Sequence, residues 1–374
     1  MKEQWFVGLM TGTVLDGQID VALLRTDGDH VSKFGFYDLV PYQKEICDLL
    51  QETIDAAKKW QFEGPEPDIF VKAERALTLA QAEAVAHLLK KAKLSTTEIA
   101  GVGFHGQTVL HRAPTKTLKG QTRQLGDGKL LANQLGIPVV YDFRSADIGV
   151  GGQGAPLCPS YHAALLNQAG ADPDTAILNL GGVANLTWQS KSGRLIAFDT
   201  GPANAPINDW VKSLGLGEMD RDGMLARAGS ADQHRLAELL NHSYFDTPFP
   251  KSLDRFDFNA SMAAGCSAED GAALLTEFTA SAVSKGLELL PHRPTRLILG
   301  GGGRRNLALV DAIARRARVS VENADDYGWR GDAIEAECFA YLAARRMANQ
   351  PISWPDTTGV PKAMTGGRIA RPAG

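Results

Sequence analysis

The stretch that decides the fold spans residues 174–206 and reads DTAILNLGGVANLTWQSKSGRLIAFDTGPANAP. Apolar runs at 176–180, 184–188 and 195–198 predict three short buried strands, with the glycine turn Gly181-Gly182 between the first two. The third run ends at Asp199, before a Thr-Gly-Pro turn and a predicted helix. Open α/β sheets place their chemistry at that edge, so Asp199 is a candidate catalytic carboxylate. A turn-forming aspartate before glycine is the alternative interpretation.

The beginning of the chain repeats this order of strands and turns. Apolar runs at 4–10, 19–26 and 31–39 predict three strands with polar turns between them. Similarity at the scale of half a chain indicates a duplicated architecture of two related lobes with a cleft between them, unless two strand meanders coincide by chance. We place the first lobe at 1–125, with residues 348–374 returning to it, and the second lobe at 126–347.

The remaining elements alternate helices with short strands, which predicts an α/β fold. Further strands are predicted at 99–104, 138–143, 296–299 and 319–321. Helices are predicted near 43–58, 68–92, 130–135, 159–167, 204–214, 231–241, 268–290 and 331–347, and one ends near 317. The segments 113–128, 142–158 and 242–260 are rich in polar residues, glycine or proline and are predicted to be loops.

Composition excludes several classes of protein. The chain has 374 residues, more than one ordinary core holds, and 44% hydrophobic with 22% charged residues is typical of globular proteins. A net charge of -4 gives no indication of a nucleic-acid or membrane-surface partner. The four cysteines form no metal-ligand pattern, and the first apolar run is too short for a signal peptide. We therefore expect a cytoplasmic protein with free thiols.

Three strand-to-glycine turns, at 12–17, 181–182 and 300–303, predict phosphate binding. Glycine lets backbone N–H groups approach an anion closely, although a single such turn is often only a turn. None of the three matches a P-loop. Asp16 is the candidate Mg²⁺ ligand because that ion prefers oxygen ligands, and a turn-capping aspartate is the alternative. The candidate phosphate-binding residues are Gly12, Thr13, Val14, Leu15, Asp16, Gly17, Gly181, Gly182, Gly300, Gly301, Gly302 and Gly303.

Two further polar segments follow predicted strands. His105 comes directly after the strand 99–104 and is followed by Gly, Gln and Thr, which favours a substrate contact over a structural histidine. Asp142 and Arg144 open the glycine-rich segment and could simply pair with each other. The charged run at 220–223 could be a solvated loop.

Eight motifs together resemble the anhydro-N-acetylmuramic acid kinase family: GLMTGTVLDG (8–17), GFHGQT (103–108), DFRSADIGVGGQGAPL (142–157), LNLGGVANLT (178–187), FDTGPAN (198–204), DRDG (220–223), LGGGGRRN (299–306) and DAIEAECFA (332–340). The resemblance extends over nearly the whole chain, to PDTTGVPKAMTGG at 355–367. That family belongs to the superfamily of acetate and sugar kinases, Hsp70 and actin. The resemblance therefore implies a duplicated, two-lobed actin-like ATPase fold with ribonuclease H-like lobes and a nucleotide cleft between them.

The resemblance also implies an activity. The family uses ATP with Mg²⁺ to open the 1,6-anhydro ring of 1,6-anhydro-N-acetylmuramic acid with water and to phosphorylate O6, in cell-wall recycling. Asp199 matches the family's general base, and the turns at 12–17 and 300–303 match its phosphate-binding loops. The motifs that surround the sugar contribute His105, Gln107, Arg144 and Gln153.

The first turn departs from the family pattern, and other functions stay open on sequence alone. Val14 replaces a serine of the family, and Gln18 looks inserted. The alternatives are another sugar or acid kinase with a hydroxyl acceptor and an ATP-driven binding module without enzymatic activity. A glycosidase would need two carboxylates beside the bond and would leave the three glycine turns unexplained. We expect a small-molecule amino sugar as the substrate and a homodimer.

Overall fold

The computed structural model describes residues 1–11, 17–115, 117–254 and 256–373. The described residues form thirteen strands: β1 Gln4–Met10, β2 Gln18–Thr26, β3 Val31–Pro41, β4 Ile99–Phe104, β5 Gln107–Arg112, β6 Gln121–Leu125, β7 Val139–Tyr141, β8 Thr175–Leu180, β9 Val183–Gln189, β10 Leu195–Pro202, β11 Arg296–Gly300, β12 Ser320–Asn323 and β13 Arg368–Ala370. They also form eleven α-helices: α1 Lys44–Trp60, α2 Ile69–Ala92, α3 Gly128–Leu135, α4 Ser145–Gly149, α5 Pro159–Gln168, α6 Asn204–Ser213, α7 Met224–Ala228, α8 Gln233–Leu240, α9 Ala268–Glu288, α10 Leu307–Ala317 and α11 Ile334–Met347.

Residues 1–168 and 335–374 form one compact unit, unit 1. Its six-stranded sheet has the order β13-β7-β4-β1-β2-β3. β1, β2 and β3 pair antiparallel, whereas β4 and β7 continue the sheet in parallel from β1, and β13 closes that edge antiparallel to β7. The apolar stripes of α1 and α2 bury Leu50, Phe70 and Leu77 in the core of this sheet, which explains their helical spacing in the sequence.

Residues 169–334 form a second compact unit, unit 2. Its five-stranded sheet has the order β10-β9-β8-β11-β12, with β8, β9 and β10 antiparallel and β8, β11 and β12 parallel. This is the order and direction of β3-β2-β1-β4-β7, so the predicted duplicated α/β architecture is confirmed. The core of unit 2 packs Val283 of α9 and Leu309 of α10 against Leu178 and Phe198 of the sheet.

The units divide at different places from the predicted lobes, which split at 125/126 and 347/348. The structure divides the chain after Gln168 and returns it to unit 1 at Glu335. The physical reason is contact that is distant in sequence, since β7 pairs with β4 and α11 packs on the sheet of unit 1. A Cβ on Gly8 would lie 1.8 Å from the carbonyl oxygen of Ala336, and one on Gly103 would lie 1.9 Å from that of Phe339. Only glycine lets α11 approach β1 and β4 this closely.

Most predicted strands and helices are present, with bounds that differ by a few residues. Four features differ from the prediction: β5 and β6 form a two-stranded antiparallel sheet, α4 lies within the predicted loop 142–158, α7 forms between two predicted helices, and β13 lies near the C-terminus. Gln18 opens β2 opposite Pro41, so the strand accommodates this residue at its first position. Within the described ranges, no helix combines the length and the apolar character needed to cross a membrane.

Candidate functional site

Asp199 lies near the end of β10, and its residue surface is only 8% exposed. It is opposite Asn185 of β9, and the strand register shifts between Asp199 and Gly201. A bulge of this kind bends a strand and re-aims its side chains. Asn185 Nδ2 donates to Asp199 Oδ1 at 2.9 Å, and the backbone N–H of Leu253 donates to Oδ2 at 2.9 Å. Other parts of unit 2 therefore orient this carboxylate, which does not serve only as a cap for its own turn.

The segment 244–253 packs along the end of β10, where it makes two hydrogen bonds to the backbone of Asp199 and one within itself. The Tyr244 hydroxyl donates to the carbonyl oxygen of Asp199 at 2.6 Å, and the Asp199 N–H donates to the carbonyl of Lys251 at 3.2 Å. Lys251 is 5% exposed and donates from Nζ to the carbonyl oxygen of Tyr244 at 2.8 Å. The sequence predicts only a loop here, so these contacts are an addition from the structure.

Both ionisable side chains of this segment have perturbed acidity. Burial, assisted by the negative charge of Asp199, raises the pKa of Tyr244 far above its usual range, so its hydroxyl stays a donor. Burial lowers the pKa of Lys251 to about 8, although the carboxylates of Asp246 and Asp199 oppose the shift. The positive charge of Lys251 is therefore sensitive to mildly alkaline pH.

The two predicted glycine turns of unit 2 lie at one edge of its sheet. Gly181-Gly182 follows β8 and Gly300 ends β11, and these two strands are parallel neighbours. Gly301 has a φ of +74°, and a Cβ there would lie 2.7 Å from the carbonyl oxygen of Leu180. A Cβ on Gly302 would have no described atom within 4 Å. The backbone at this point is therefore packed on one side and open on the other.

The end of β10 is tied to the same edge. The N–H groups of Ala203 and Asn204 donate to the carbonyl oxygens of Gly182 and Gly181, each at 3.1 Å. These bonds join the first turn of α6 to the glycine turn that follows β8. The structure thus brings together, within unit 2, the strand that carries Asp199 and both predicted glycine turns.

The first glycine turn is described only at its last residue. Gly17 adopts a φ of +78°, as a glycine turn requires. The candidates Gly12, Thr13, Val14, Leu15 and Asp16 lie outside the described residues. Their assignment to phosphate and Mg²⁺ stays a prediction.

Arg304 anchors the turn at 300–303. It is 4% exposed, and its guanidinium donates to the carbonyl oxygen of Gly301 at 3.0 Å, to Asp332 Oδ1 at 2.8 Å and to Asp325 Oδ2 at 2.9 Å. The two carboxylates outweigh the cost of burial and raise the pKa of Arg304. This planar cation therefore fixes the conformation of Gly301 with a charge-assisted network.

His105 and Arg144 are in direct contact within unit 1. Arg144 donates from Nη2 to His105 Nε2 at 3.0 Å and from Nη1 to the carbonyl oxygen of Gly154 at 2.7 Å. Burial and the neighbouring guanidinium lower the pKa of His105 well below its usual range. His105 is therefore neutral, with Nε2 as an acceptor. Arg144 binds His105 and the glycine-rich segment, whereas Asp142 lies 4.0 Å from Arg368.

The other two predicted sugar residues have separate surroundings. Gln107 is fully buried at the start of β5, where Nε2 donates to the carbonyl oxygen of Thr108 at 3.2 Å. The Gln153 N–H donates to the carbonyl of Thr358 at 2.6 Å, and its own carbonyl contacts His111 Nε2 at 3.0 Å. These backbone contacts fix the glycine-rich segment against the C-terminal part of unit 1.

Asp147 organises that segment further. It is 1% exposed, accepts from the N–H of Gly154 at 2.7 Å and accepts from the Thr358 hydroxyl at 2.6 Å. A separate cavity of about 290 Å³ in unit 1 has His105, Tyr141 and Asp142 among its lining residues. The cavity gives a small polar ligand access to one of the predicted sugar residues.

Sequence reasoning missed several residues of these clusters. Asn185, Asp147 and Arg304 stand inside the motifs that carry the family resemblance, and their polar character in otherwise apolar or glycine-rich surroundings is the signal that could have found them. Asp220, in the predicted solvated loop, is 7% exposed and accepts from the N–H groups of Leu225 and Ala226. It caps α7. Among the described residues, no three His, Cys, Asp or Glu side chains converge as a metal site.

The chain is similar to proteins of one named family. Residues 4–372 match the profile of the family described as anhydro-N-acetylmuramic acid kinase. A protein of that name from Rhizobium rhizogenes is 60% identical over 370 residues, which cover 99% of this chain and all of that protein. One from Mesorhizobium japonicum is 59% identical with the same coverage.

A solved structure, the Acidaminococcus fermentans (R)-2-hydroxyglutaryl-CoA dehydratase component A, has a TM-score of 0.46 at 12% identity over 91% of this chain and 99% of that chain. The family match spans almost the whole of both units. The chain therefore belongs to the anhydro-N-acetylmuramic acid kinase family.

Proposed function

We propose that this protein uses ATP to open the 1,6-anhydro ring of 1,6-anhydro-N-acetylmuramic acid and to phosphorylate O6, giving N-acetylmuramic acid 6-phosphate and ADP. The observation that carries the proposal is the buried carboxylate of Asp199, which Asn185 and the Leu253 N–H orient beside two glycine turns. A carboxylate held in this way suits proton abstraction next to a phosphate-binding backbone.

The residues of unit 2 fit the phosphates of ATP. The backbone of Gly302 has open space on the side where a Cβ would lie. Gly301 has a left-handed conformation, and Arg304 donates to its carbonyl oxygen. The buried Oδ1 of Asn204, beside the Gly181-Gly182 turn, has no hydrogen-bond partner among the described atoms. It can accept from a ligand hydroxyl or from a water bound to a metal ion. Gly12–Gly17 would supply the remaining backbone donors.

Mg²⁺ would be held by Asp16 together with phosphate oxygens and water. Such a site needs only one or two carboxylates, because Mg²⁺ retains several waters. When bound, the ion would neutralise charge on the phosphoryl group in transfer.

Asp199 acts as the general base. Its carboxylate removes a proton from a water molecule as that water attacks the anomeric carbon of the sugar, and the bond from that carbon to the bridging oxygen breaks. The released O6 then attacks the γ-phosphorus of ATP, and ADP leaves. Asn185 and the Leu253 N–H keep both carboxylate oxygens in fixed directions during the transfer, which is the main requirement for efficient proton abstraction.

The sugar is assigned to the polar residues of unit 1. Neutral His105 can exchange hydrogen bonds with sugar hydroxyls, and Arg144 supplies a positive charge for a carboxylate substituent. Gln107 and Gln153 complete the assignment by the family resemblance. We further propose that the protein works in the cytoplasm as a homodimer, and its four free cysteines agree with a reducing compartment.

The test is a comparison of acceptors. Purified protein with ATP and Mg²⁺ is incubated with one of three acceptors, and ADP release is followed. The acceptors are 1,6-anhydro-N-acetylmuramic acid, N-acetylmuramic acid, which lacks the anhydro bridge, and glucose. We expect ADP only with the anhydro sugar, in step with formation of a sugar phosphate. Equal or greater turnover with N-acetylmuramic acid or with glucose would indicate a conventional hydroxyl kinase and contradict the proposal.

A further inference from the structure

We propose that the segment 244–253, which we term the base latch, fixes the direction of the Asp199 carboxylate, and that Tyr244 and Lys251 are its positioning residues. The inference rests on the proposed role of Asp199 as the general base. It assigns two residues that neither the motifs nor the family resemblance single out.

β10 is the edge strand of its sheet, and its register shifts just after Asp199. An edge strand has a partner strand on one side only, so the N–H and carbonyl groups that point to the other side need partners from elsewhere. At Asp199 the latch takes over, because the Tyr244 hydroxyl donates to its carbonyl oxygen and the Lys251 carbonyl accepts from its N–H. Both backbone groups of the catalytic residue are thus satisfied by one short segment.

The same segment contacts the carboxylate itself. The N–H of Leu253 donates to Oδ2, two residues after Lys251. A displacement of the latch would therefore change the backbone at position 199 and remove one of the two identified donors to the carboxylate. Because proton transfer depends on distance and direction, such a displacement reduces the catalytic rate more than substrate affinity.

Lys251 makes contacts both within the latch and with β10. Its ammonium group donates to the carbonyl oxygen of Tyr244 and lies 4.4 Å from the centroid of the Tyr244 ring and 5.7 Å from that of Phe198. Phe198 precedes Asp199 on β10, so the cation bridges the latch and the strand. Cation–π contacts of a desolvated ammonium are stronger than those in water.

Charged groups on the surrounding elements define the sign of the pH effect. Asp246 of the 3₁₀ turn Ser243–Asp246 and Asp199 of β10 favour the ammonium form of Lys251, whereas Lys285 of α9 and burial oppose it. Since the pKa of Lys251 is about 8, the ammonium form predominates at neutral pH and its contacts are lost as pH rises through that value. The latch should loosen on the alkaline side.

The experiment measures kcat and KM from pH 6 to 10 for the wild type, Tyr244→Phe, Lys251→Arg and Lys251→Met. Tyr244→Phe should lower kcat by roughly three- to tenfold, the effect of one lost hydrogen bond, with the KM for ATP unchanged. The wild-type kcat should fall above pH 8. Lys251→Arg should retain activity and move that decline to higher pH, because arginine stays charged. Lys251→Met should have a low kcat and no such decline.

Matched controls are Tyr37→Phe on β3 and Lys212→Arg on α6, whose side chains are partly exposed. Thermal unfolding identifies any variant that fails to fold. The proposal is overturned if the wild type is active and Tyr244→Phe and Lys251→Met have the same kcat as the wild type. It is also overturned if Lys251→Arg leaves the pH profile unchanged. A wild type that does not phosphorylate the anhydro sugar would instead overturn the proposed function.

Discussion

Asn185 Nδ2 lies 2.9 Å from Asp199 Oδ1, on adjacent strands whose pairing brings the two residues directly opposite each other. A strand pair is more rigid than a loop, so this contact fixes one carboxylate oxygen with the precision of the sheet. The backbone of Leu253 fixes the other oxygen. The proposed base is therefore oriented before any substrate binds.

The first prediction concerns Asp199→Asn. The amide cannot accept the proton of the attacking water, and a general base typically contributes about 10²–10⁴-fold, so kcat should fall by at least 100-fold. Binding of ATP, measured by calorimetry, should stay within about threefold of wild type, because the side chain is nearly isosteric. Asp311→Asn, at an exposed position of α10, is the matched control. Retention of more than a tenth of the wild-type rate would exclude Asp199 as the base.

The second prediction tests Arg304 as the anchor of the turn at 300–303, the proposed nucleotide loop. Arg304→Ala removes the donors to Gly301, Asp325 and Asp332, and ATP affinity should fall roughly tenfold or more, the equivalent of at least one charge-assisted hydrogen bond. Arg305→Ala is the control, since that neighbouring side chain is 66% exposed and its ion pair with Asp332 is a surface contact. Calorimetric titration of ATP measures both. Equal affinities would show that the loop holds its shape without Arg304.

The third prediction concerns the contact between Arg144 and His105. Arg144→Lys cannot bridge His105 and the Gly154 carbonyl with a planar fork, so the KM for the sugar should rise about tenfold with little change in the KM for ATP. Arg75→Lys, at an exposed position of α2, is the control. Initial rates at varied sugar concentration give the result. A KM unchanged by Arg144→Lys would remove Arg144 from the sugar site.

The buried histidine also predicts the pH dependence of stability. The pKa of His105 is lowered in the folded state, so the unfolded chain binds more protons below its ordinary pKa of about 6.5. His105 therefore destabilises the fold as pH falls below that value and contributes nothing to the slope above pH 7. Urea unfolding at pH 5 and pH 7.5 should show a smaller loss of stability at pH 5 in His105→Gln than in the wild type. An equal loss in both would show that His105 is not neutral in the fold.

The last of the mutational predictions concerns the packing of α11. Gly103→Ala would place a Cβ on the backbone of Phe339, and overpacking of this kind costs about 1–3 kcal/mol or more. A matched Gly149→Ala should have little effect, because its Cβ would meet no described atom within 4 Å. Thermal unfolding compares the two. An equal change in both melting temperatures would contradict the close approach of α11 to β4.

The sequence predicts the sheets well, because β1, β2, β4 and β8–β11 are apolar runs bounded by glycine or polar turns. It misses β5 and β6, whose residues alternate polar and apolar character only weakly and which pair with each other in a separate small sheet. It also misses β13, which has three residues and exists only through its pairing with β7. The division of the chain at Gln168 depends on such distant pairings, which no local pattern records.

The sequence predicts only those residues of the candidate site that lie in recognisable motifs. Asp199 and the glycine turns follow from strand ends and turn composition. Tyr244 and Lys251 do not, because an aromatic residue and a lysine in a loop have no distinctive pattern until folding brings them to the bulge at Asp199. The contact between His105 and Arg144 likewise joins residues from two separate motifs.

The most direct test of the account follows the oxygen of the attacking water. The protein is incubated with ATP, Mg²⁺ and 1,6-anhydro-N-acetylmuramic acid in water enriched in heavy oxygen, and early product is reduced at once with borohydride and weighed by mass spectrometry. The account predicts that each ADP formed is matched by one sugar that carries a phosphate on O6 and a heavy oxygen at the anomeric carbon. Asp199→Asn should form no such sugar phosphate. A phosphorylated sugar with an intact anhydro ring, or ADP formed without sugar phosphate, would contradict it.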